Sequence, residues 1–156
     1  MQHEVEAMLA NPPPEWVHQF TSGARKAGIR GSLSLQNALK ILRITAGGNR
    51  SNDTAYGFNE VPDEVREAAL HGLRLSYQHN YGGWDFIGIA RAIQLVVMPG
   101  VPNETMQRMS NYFSRHQKDK RGKNFGNESR PSRGYMAWLN WGGDPGWFWA
   151  SRGGGE

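Results

Sequence analysis

At 156 residues, with no cysteine and a net charge of +4, the chain has the size of one ordinary domain and can bury a single core without staples. The missing cysteines exclude disulfides, thiolate zinc sites and cysteine nucleophiles. The opening MQHEVEAMLANPPPEW has neither the basic start nor the apolar run of a secretion signal, and no later stretch approaches the ~18 apolar residues of a membrane span, so a soluble chain is expected.

Val5, Met8 and Leu9 predict a short helix over 3–9, and Asn11-Pro12-Pro13-Pro14 stops it, since proline cannot continue a helix and drives its predecessor to extended backbone. Trp16, Phe20, Ala24 and Ala27 recur at helical spacing, with Gly28 as the stop. Ser32 or Ser34 can cap a third helix striped by Leu35, Ala38, Leu39, Leu42 and Ala46, which Gly47-Gly48 ends. The stretch 47–61 has no period and reads as the main loop or a subdomain joint.

Pro62-Asp63-Glu64 then suits a first helical turn, where proline's missing N–H is harmless and acids complement the dipole; Val65, Ala69, Leu73 and Tyr77 carry that helix to an end between His79 and Gly83. Phe86, Ile89, Ala90, Ile93, Val96 and Val97 predict another over 84–97, closed by Met98-Pro99-Gly100. Asn103 can cap the next, striped by Met106, Met109, Tyr112, Phe113 and His116. The connector 117–131 looks too polar to pack. Ser132 can cap a helix through Tyr135, Trp138 and Leu139, stopped by Gly142-Gly143, and Asp144-Pro145 reads as N-cap and first position of a last turn. No alternation is long enough for a sheet. The expected class is all-α, a single compact domain of about six short helices with a glycine-rich basic connector.

Charge is concentrated in that connector. Arg115, Lys118, Lys120, Arg121, Lys123, Arg130 and Arg133 stand against only Asp119 and Glu128, a local charge of +5; the remaining eleven cations and twelve acids leave −1 elsewhere. These seven cations are the candidate nucleic-acid or anion-binding residues, because Lys and Arg neutralise phosphates and nearby tryptophans can stack on unpaired bases. Trp138, Trp141, Trp147 and Trp149 follow directly, although tryptophans in a small domain more often serve as buried anchors. His116 and Asp119, three residues apart on a helix edge, form a weaker catalytic pair, in which the carboxylate would orient the imidazole as a general base requires; a helix-end hydrogen bond explains the same spacing. Trp141-Gly142-Gly143-Asp144-Pro145-Gly146 reads as a structural turn, since Asp144 would compete with any phosphate at that helix start. No cofactor and no metal ligand set is expected.

Val61-Pro62, Gly82-Gly83, Gly88 to Ala92, Met109, Tyr112, Phe113, Arg115, His116, Asp119, Pro131, Ser132, Gly134, Ala137, Trp138, Trp141 to Asp144, Gly146, Trp149 and Ala150 fit a spaced pattern, GGW-x3-GIARA, YF-x-RH-x2-D and PS-x-G-x2-AW-x2-WGGD-x-G-x2-WA. In this order it resembles a small uncharacterised domain of tailed-bacteriophage and prophage proteins, found near head-assembly genes. The likeness covers about 90 residues and divides the chain into an N-terminal helical extension (1–60), the phage-type helical module (61–152) and a flexible tail (153–156). It implies a viral setting, in the virion or the host cytoplasm, with a phage structural protein or nucleic acid as partner and no membrane. Gln117 stands where that pattern usually has Glu, which weakens any mechanism needing an acid there. The leading expectation is therefore a non-enzymatic, virion- or assembly-associated binding protein that contacts nucleic acid or an acidic protein surface. Its alternatives are a small hydrolase or nuclease using His116 and Asp119, and an infection-stage inhibitor of a host factor.

Overall fold

The computed structural model describes residues 1–26, 28 and 58–152. The helix expected through Leu35 to Ala46, the loop before Phe58 and the tail beyond Arg152 lie outside the described residues. Among those described are seven α-helices: α1 (Gln2–Ala10), α2 (Pro14–Lys26), α3 (Asp63–Gln78), α4 (Ile87–Val97), α5 (Asn103–Arg115), α6 (Arg133–Asn140) and α7 (Gly143–Ser151). The chain is mostly helical and forms one compact domain.

The long helix α3 is the hub, packed against α4, α6 and α7. Its stripe of Val65, Ala69, Leu70 and Leu73 is buried, as the four-residue repeat demands. Closest approach occurs at Gly72, where an added Cβ would fall 2.7 Å from the Asn140 backbone nitrogen and 2.9 Å from the Leu139 carbonyl carbon. Only glycine lets α3 and α6 come this near. Arg66 reaches from α3 to the end of α4, its Nη1 donating to the carbonyls of Leu95 (3.1 Å), Val96 (2.6 Å) and Met98 (3.0 Å). That satisfies orphan carbonyls at the negative end of the α4 dipole.

The N-terminal helices are walls of the same core. Val5, Met8, Leu9 and the fully buried Trp16 belong to one cluster with Val65, Leu73, Ile89, Met109, Phe113 and Trp138. Trp16 Nε1 donates to the Tyr81 carbonyl at 2.9 Å, the Tyr77 hydroxyl to the Asn11 carbonyl at 2.7 Å, and Arg74 grips Glu4 through two bonds of 2.5 and 2.7 Å. Gly28, at φ +81°, donates to the Arg25 carbonyl and terminates α2 as expected.

Four local expectations need correction. A two-stranded antiparallel ribbon exists, β1 (Phe58–Glu60) against β2 (Gly100–Pro102) with Asn59 opposite Val101; three-residue strands are too short to show an alternation in the sequence. Helix α4 starts at Ile87, not at 84, because Asp85 and Phe86 sit in the left-handed region (φ 51° and 66°). Pro102, not Asn103, is the N-cap residue of α5, and the Asn103 side chain instead accepts from Asn59 Nδ2 at 2.8 Å, tying the ribbon to the helix. Asp144 is not an N-cap either: Gly142, at φ 117°, precedes α7, and the Asp144 carboxylate turns to Trp138 and Lys120. In each case a partner distant in sequence outweighs the local preference. Ser132, by contrast, caps α6 as expected, its hydroxyl accepting from the Tyr135 backbone at 3.0 Å.

Candidate functional site

The connector between α5 and α6 is folded, contrary to its polar appearance. His116 ends α5, a 3₁₀ turn follows over Gln117–Arg121, and Asn124 and Gly126 take left-handed conformations (φ 69° and 84°) that reverse the chain. Asn127 Oδ1 accepts from the backbone nitrogens of Ser129 (3.0 Å) and Arg130 (2.9 Å), a local turn of the kind Asn favours. The anchor is Phe125. Its ring meets Tyr135 edge-on at 5.0 Å and Trp138 at 6.3 Å, fastening the loop to the core through the one large apolar side chain it carries.

This scaffold holds the basic residues unevenly. Arg115, Lys118, Arg121, Lys123, Arg130 and Arg133 are exposed, and none of these six forms an ion pair with another described residue. Lys120 differs, lying 2.8 Å from Asp144 Oδ1 and about 5 Å above the rings of both Trp138 and Trp147. The connector's two acids are engaged elsewhere. Asp119 Oδ2 lies 3.2 Å from His116 Nδ1; Glu128 takes His71 Nε2 and the Tyr135 hydroxyl, each at 2.5 Å. Partial burial works to raise the Glu128 pKa, but the bonds from Tyr135 and His71 outweigh it and hold the carboxyl below its usual range. Glu128 therefore stays ionised and tied to α3 and α6. Among the described residues, six cations are left facing solvent uncompensated.

The catalytic pair foreseen at His116 and Asp119 is in contact, and the imidazole is also stacked on Tyr112 at 4.4 Å. Tyr112 in turn stacks on Trp141 at 4.6 Å, and the Arg91 guanidinium covers the far face of this column, 5.1 Å from the Trp141 ring. Burial lowers the Arg91 pKa to about 10 and pushes the Tyr112 hydroxyl far above its ordinary value. Among the described residues, no three His, Cys, Asp or Glu side chains gather into a group that could hold a metal.

The tryptophans named beside the connector are mainly anchors. Trp138 and Trp141 are buried, while Trp147 and Trp149 are half-buried against the same core. The exposed one is Trp84, at 76%. It follows Gly82-Gly83 in the loop before α4, and nothing in its sequence neighbourhood sets its exposure apart from the burial of the others. Its loop is strained: Asn80, Asp85 and Phe86 all have positive φ, at about 1–2 kcal/mol each for non-glycine residues. Helix α2 imposes that conformation. Gln19 Oε1 accepts from the Asp85 backbone at 3.0 Å, while Ser22 Oγ and Lys26 Nζ donate to the Asp85 carboxylate at 2.8 and 2.7 Å. Lys26, then Ser22, hold the Asp85 carboxyl below its ordinary pKa. Beside Trp84 opens a cleft of about 830 Å³, shared by α2, this loop, Pro131 at the end of the connector, and Arg133 at the start of α6.

No described helix is long and apolar enough to cross a membrane. Comparison with known proteins adds no family to this picture: no family model, no curated protein and no solved structure matches the chain.

Proposed function

We propose that this chain is a bacteriophage-encoded binding protein without catalytic activity of its own, associated with the virion or its assembly, which contacts nucleic acid through the α5–α6 connector. The observation that carries the contact is the set of six exposed cations without ion-pair partners among the described residues, on the connector and the two helix ends that flank it, where the connector's own acids are bonded to His116 and to His71 and Tyr135. Such a surface attracts a polyanion and releases counterions on binding it. An acidic face of a phage structural protein would meet the same cations. The viral setting rests on the likeness of the GGW, YF-x-RH and WGGD segments to the tailed-phage domain.

The affinity for DNA, measured between about 50 and about 200 mM salt, tests the contact. We expect log K to fall steeply with log salt, and replacement of Arg121, Lys123 and Arg130 by Gln to lower the slope by about one unit per residue. A flat salt response overturns the nucleic-acid reading and leaves the acidic protein face. Mass spectrometry of purified particles tests the setting, and absence from them sinks the virion role.

The 3.2 Å contact of His116 Nδ1 with Asp119 Oδ2 favours a second reading, a small hydrolase or nuclease with His116 as general base. His116→Gln decides it: phosphodiester or ester turnover that survives the substitution removes this role.

A further inference from the structure

We infer that the cleft beside Trp84 is a subsite for one unpaired nucleobase, so that the nucleic acid taken by the connector is single-stranded at this point. The inference rests on the nucleic-acid reading of the connector and adds to it what that strand must be. A chain that buries Trp16, Trp138 and Trp141 holds Trp84 at 76% exposure, and holds it there through a backbone with three left-handed non-glycine residues that α2 fixes with three hydrogen bonds to Asp85. A loop kept in an unfavourable conformation by its surroundings marks a presented side chain rather than a slack one.

The surroundings specify the ligand. Lys26 Nζ lies over the Trp84 ring, 4.9 Å from its centroid, so a planar ring stacks on the opposite indole face, and every base offers such a ring face once it leaves its duplex neighbours. The other walls mix apolar and polar groups: His18 and His79 line the cleft with ring nitrogens that can hydrogen-bond a base edge, Gln19 being already bonded to Asp85 and Glu15. The Asp85 carboxylate is paired with Lys26 and bonded by Ser22, while Glu15 accepts from the neutral Gln19 amide at 3.4 Å and keeps its charge. Arg133 therefore remains as the cation in the wall without an acidic partner among the described residues, suited to a backbone phosphate. Pro131 also ends the connector and Arg133 starts α6, so a strand stacked on Trp84 continues onto the exposed cations. A duplex offers no free base face, and its backbone would meet the connector alone.

The experiment compares an oligothymidylate of about 12 nucleotides with a duplex of equal length, read by intrinsic tryptophan fluorescence and by titration at fixed salt. We expect the single strand, and not the duplex, to quench the exposed indole. Trp84→Ala should weaken the single strand about tenfold while leaving duplex affinity and the salt slope unchanged, and Trp84→Phe should retain most of the affinity. Thermal melting confirms that both variants fold, which the exposure of Trp84 favours. Equal single-strand affinity for Trp84→Ala and the unaltered protein, with the connector glutamine variants still weakened, overturns the subsite and leaves the connector reading standing. If neither nucleic acid binds, both fall. Loss of a self-associated species in Trp84→Ala, with strand binding intact, assigns the indole to a contact between copies and also overturns the subsite.

Discussion

Lys120 Nζ lies 2.8 Å from Asp144 Oδ1, the same oxygen that accepts the Trp138 indole N–H at 2.9 Å. One carboxylate thereby joins the connector to the start of α7 and to a buried ring of α6. Lys120 also faces the rings of Trp138 and Trp147, so its charge is spent within the fold and not offered to a ligand. Lys120→Met should lower stability by about 1 kcal/mol, the sum expected of a partly exposed ion pair and a cation–π contact, or roughly 3 °C in melting temperature. DNA affinity and its salt slope should barely move. Lys123→Gln should do the reverse, and a Lys120 variant with an altered salt slope would return this residue to the binding surface.

Gly72 sets the distance between α3 and α6. Because an added Cβ would lie within 3 Å of the backbone of both Leu139 and Asn140, no side-chain rotation relieves the clash, and one helix must shift. Gly72→Ala should therefore destabilise by about 1–3 kcal/mol despite alanine's better helix propensity. The shift also strains the buried bond from Asn140 Nδ2 to Ser76 Oγ, 3.1 Å long. Denaturant unfolding measures the loss. A variant as stable as the parent would show that the two helices are not held at this spacing.

What was legible in the sequence was whatever depends on near neighbours. The stripe of Val65, Ala69, Leu73 and Tyr77 declares α3 because its period repeats over four turns, and Ser132 declares the start of α6 because a cap reaches only three residues ahead. Asn103 and Asp144 look like caps by the same rule, yet Asn59, 44 residues away, claims the first and Lys120, 24 residues away, claims the second. At the candidate site, the connector's excess charge was plain from composition. Its order was not, since Phe125 is a single aromatic in a polar run and its partners, Tyr135 and Trp138, lie on the next helix. The exposure of Trp84 was hidden for a similar reason: the φ angles of Asp85 and Phe86 decide it, and side chains of α2, more than 60 residues away, decide those angles.

Asp85 makes that control titratable. Its carboxyl is held below the ordinary range by Lys26 and then by Ser22, so its ionised form favours the folded loop. A depressed carboxyl contributes stability that is present above its unfolded pKa of about 3.9 and is lost as pH falls through the lower folded value. Acidification below about pH 4 should therefore release the Trp84 loop. Asp85→Asn should weaken the loop already at neutral pH and flatten the acid limb of a melting-temperature profile. The emission difference between the protein and its Trp84→Phe variant separates this indole from the other five tryptophans and reports the loop, and parallel acid limbs in the parent and Asp85→Asn proteins would contradict the role of Asp85.

At the alkaline end Tyr112 governs the response. Burial, then the nearby Tyr81 and Asp119, push its hydroxyl far above the ordinary value, and that hydroxyl has no hydrogen-bond partner among the described residues. A raised pKa contributes stability fully present below the unfolded value, about 10 for tyrosine, and lost as pH rises toward the folded one. Arg91 opposes this trend. Its pKa, lowered to about 10, makes the charged form a burden on the fold that lifts as pH climbs toward its unfolded value. The difference between parent and Tyr112→Phe cancels the Arg91 contribution and isolates the tyrosine. Phenylalanine keeps the ring stacked between His116 and Trp141 while removing a buried hydroxyl without a partner, so Tyr112→Phe should be neutral or more stable by about 1 kcal/mol at pH 7. Above about pH 10 its stability should fall less steeply than the parent's. Denaturant midpoints taken from pH 7 to 11 follow both effects, and a variant that loses stability at neutral pH would reveal that the Tyr112 hydroxyl is bonded after all.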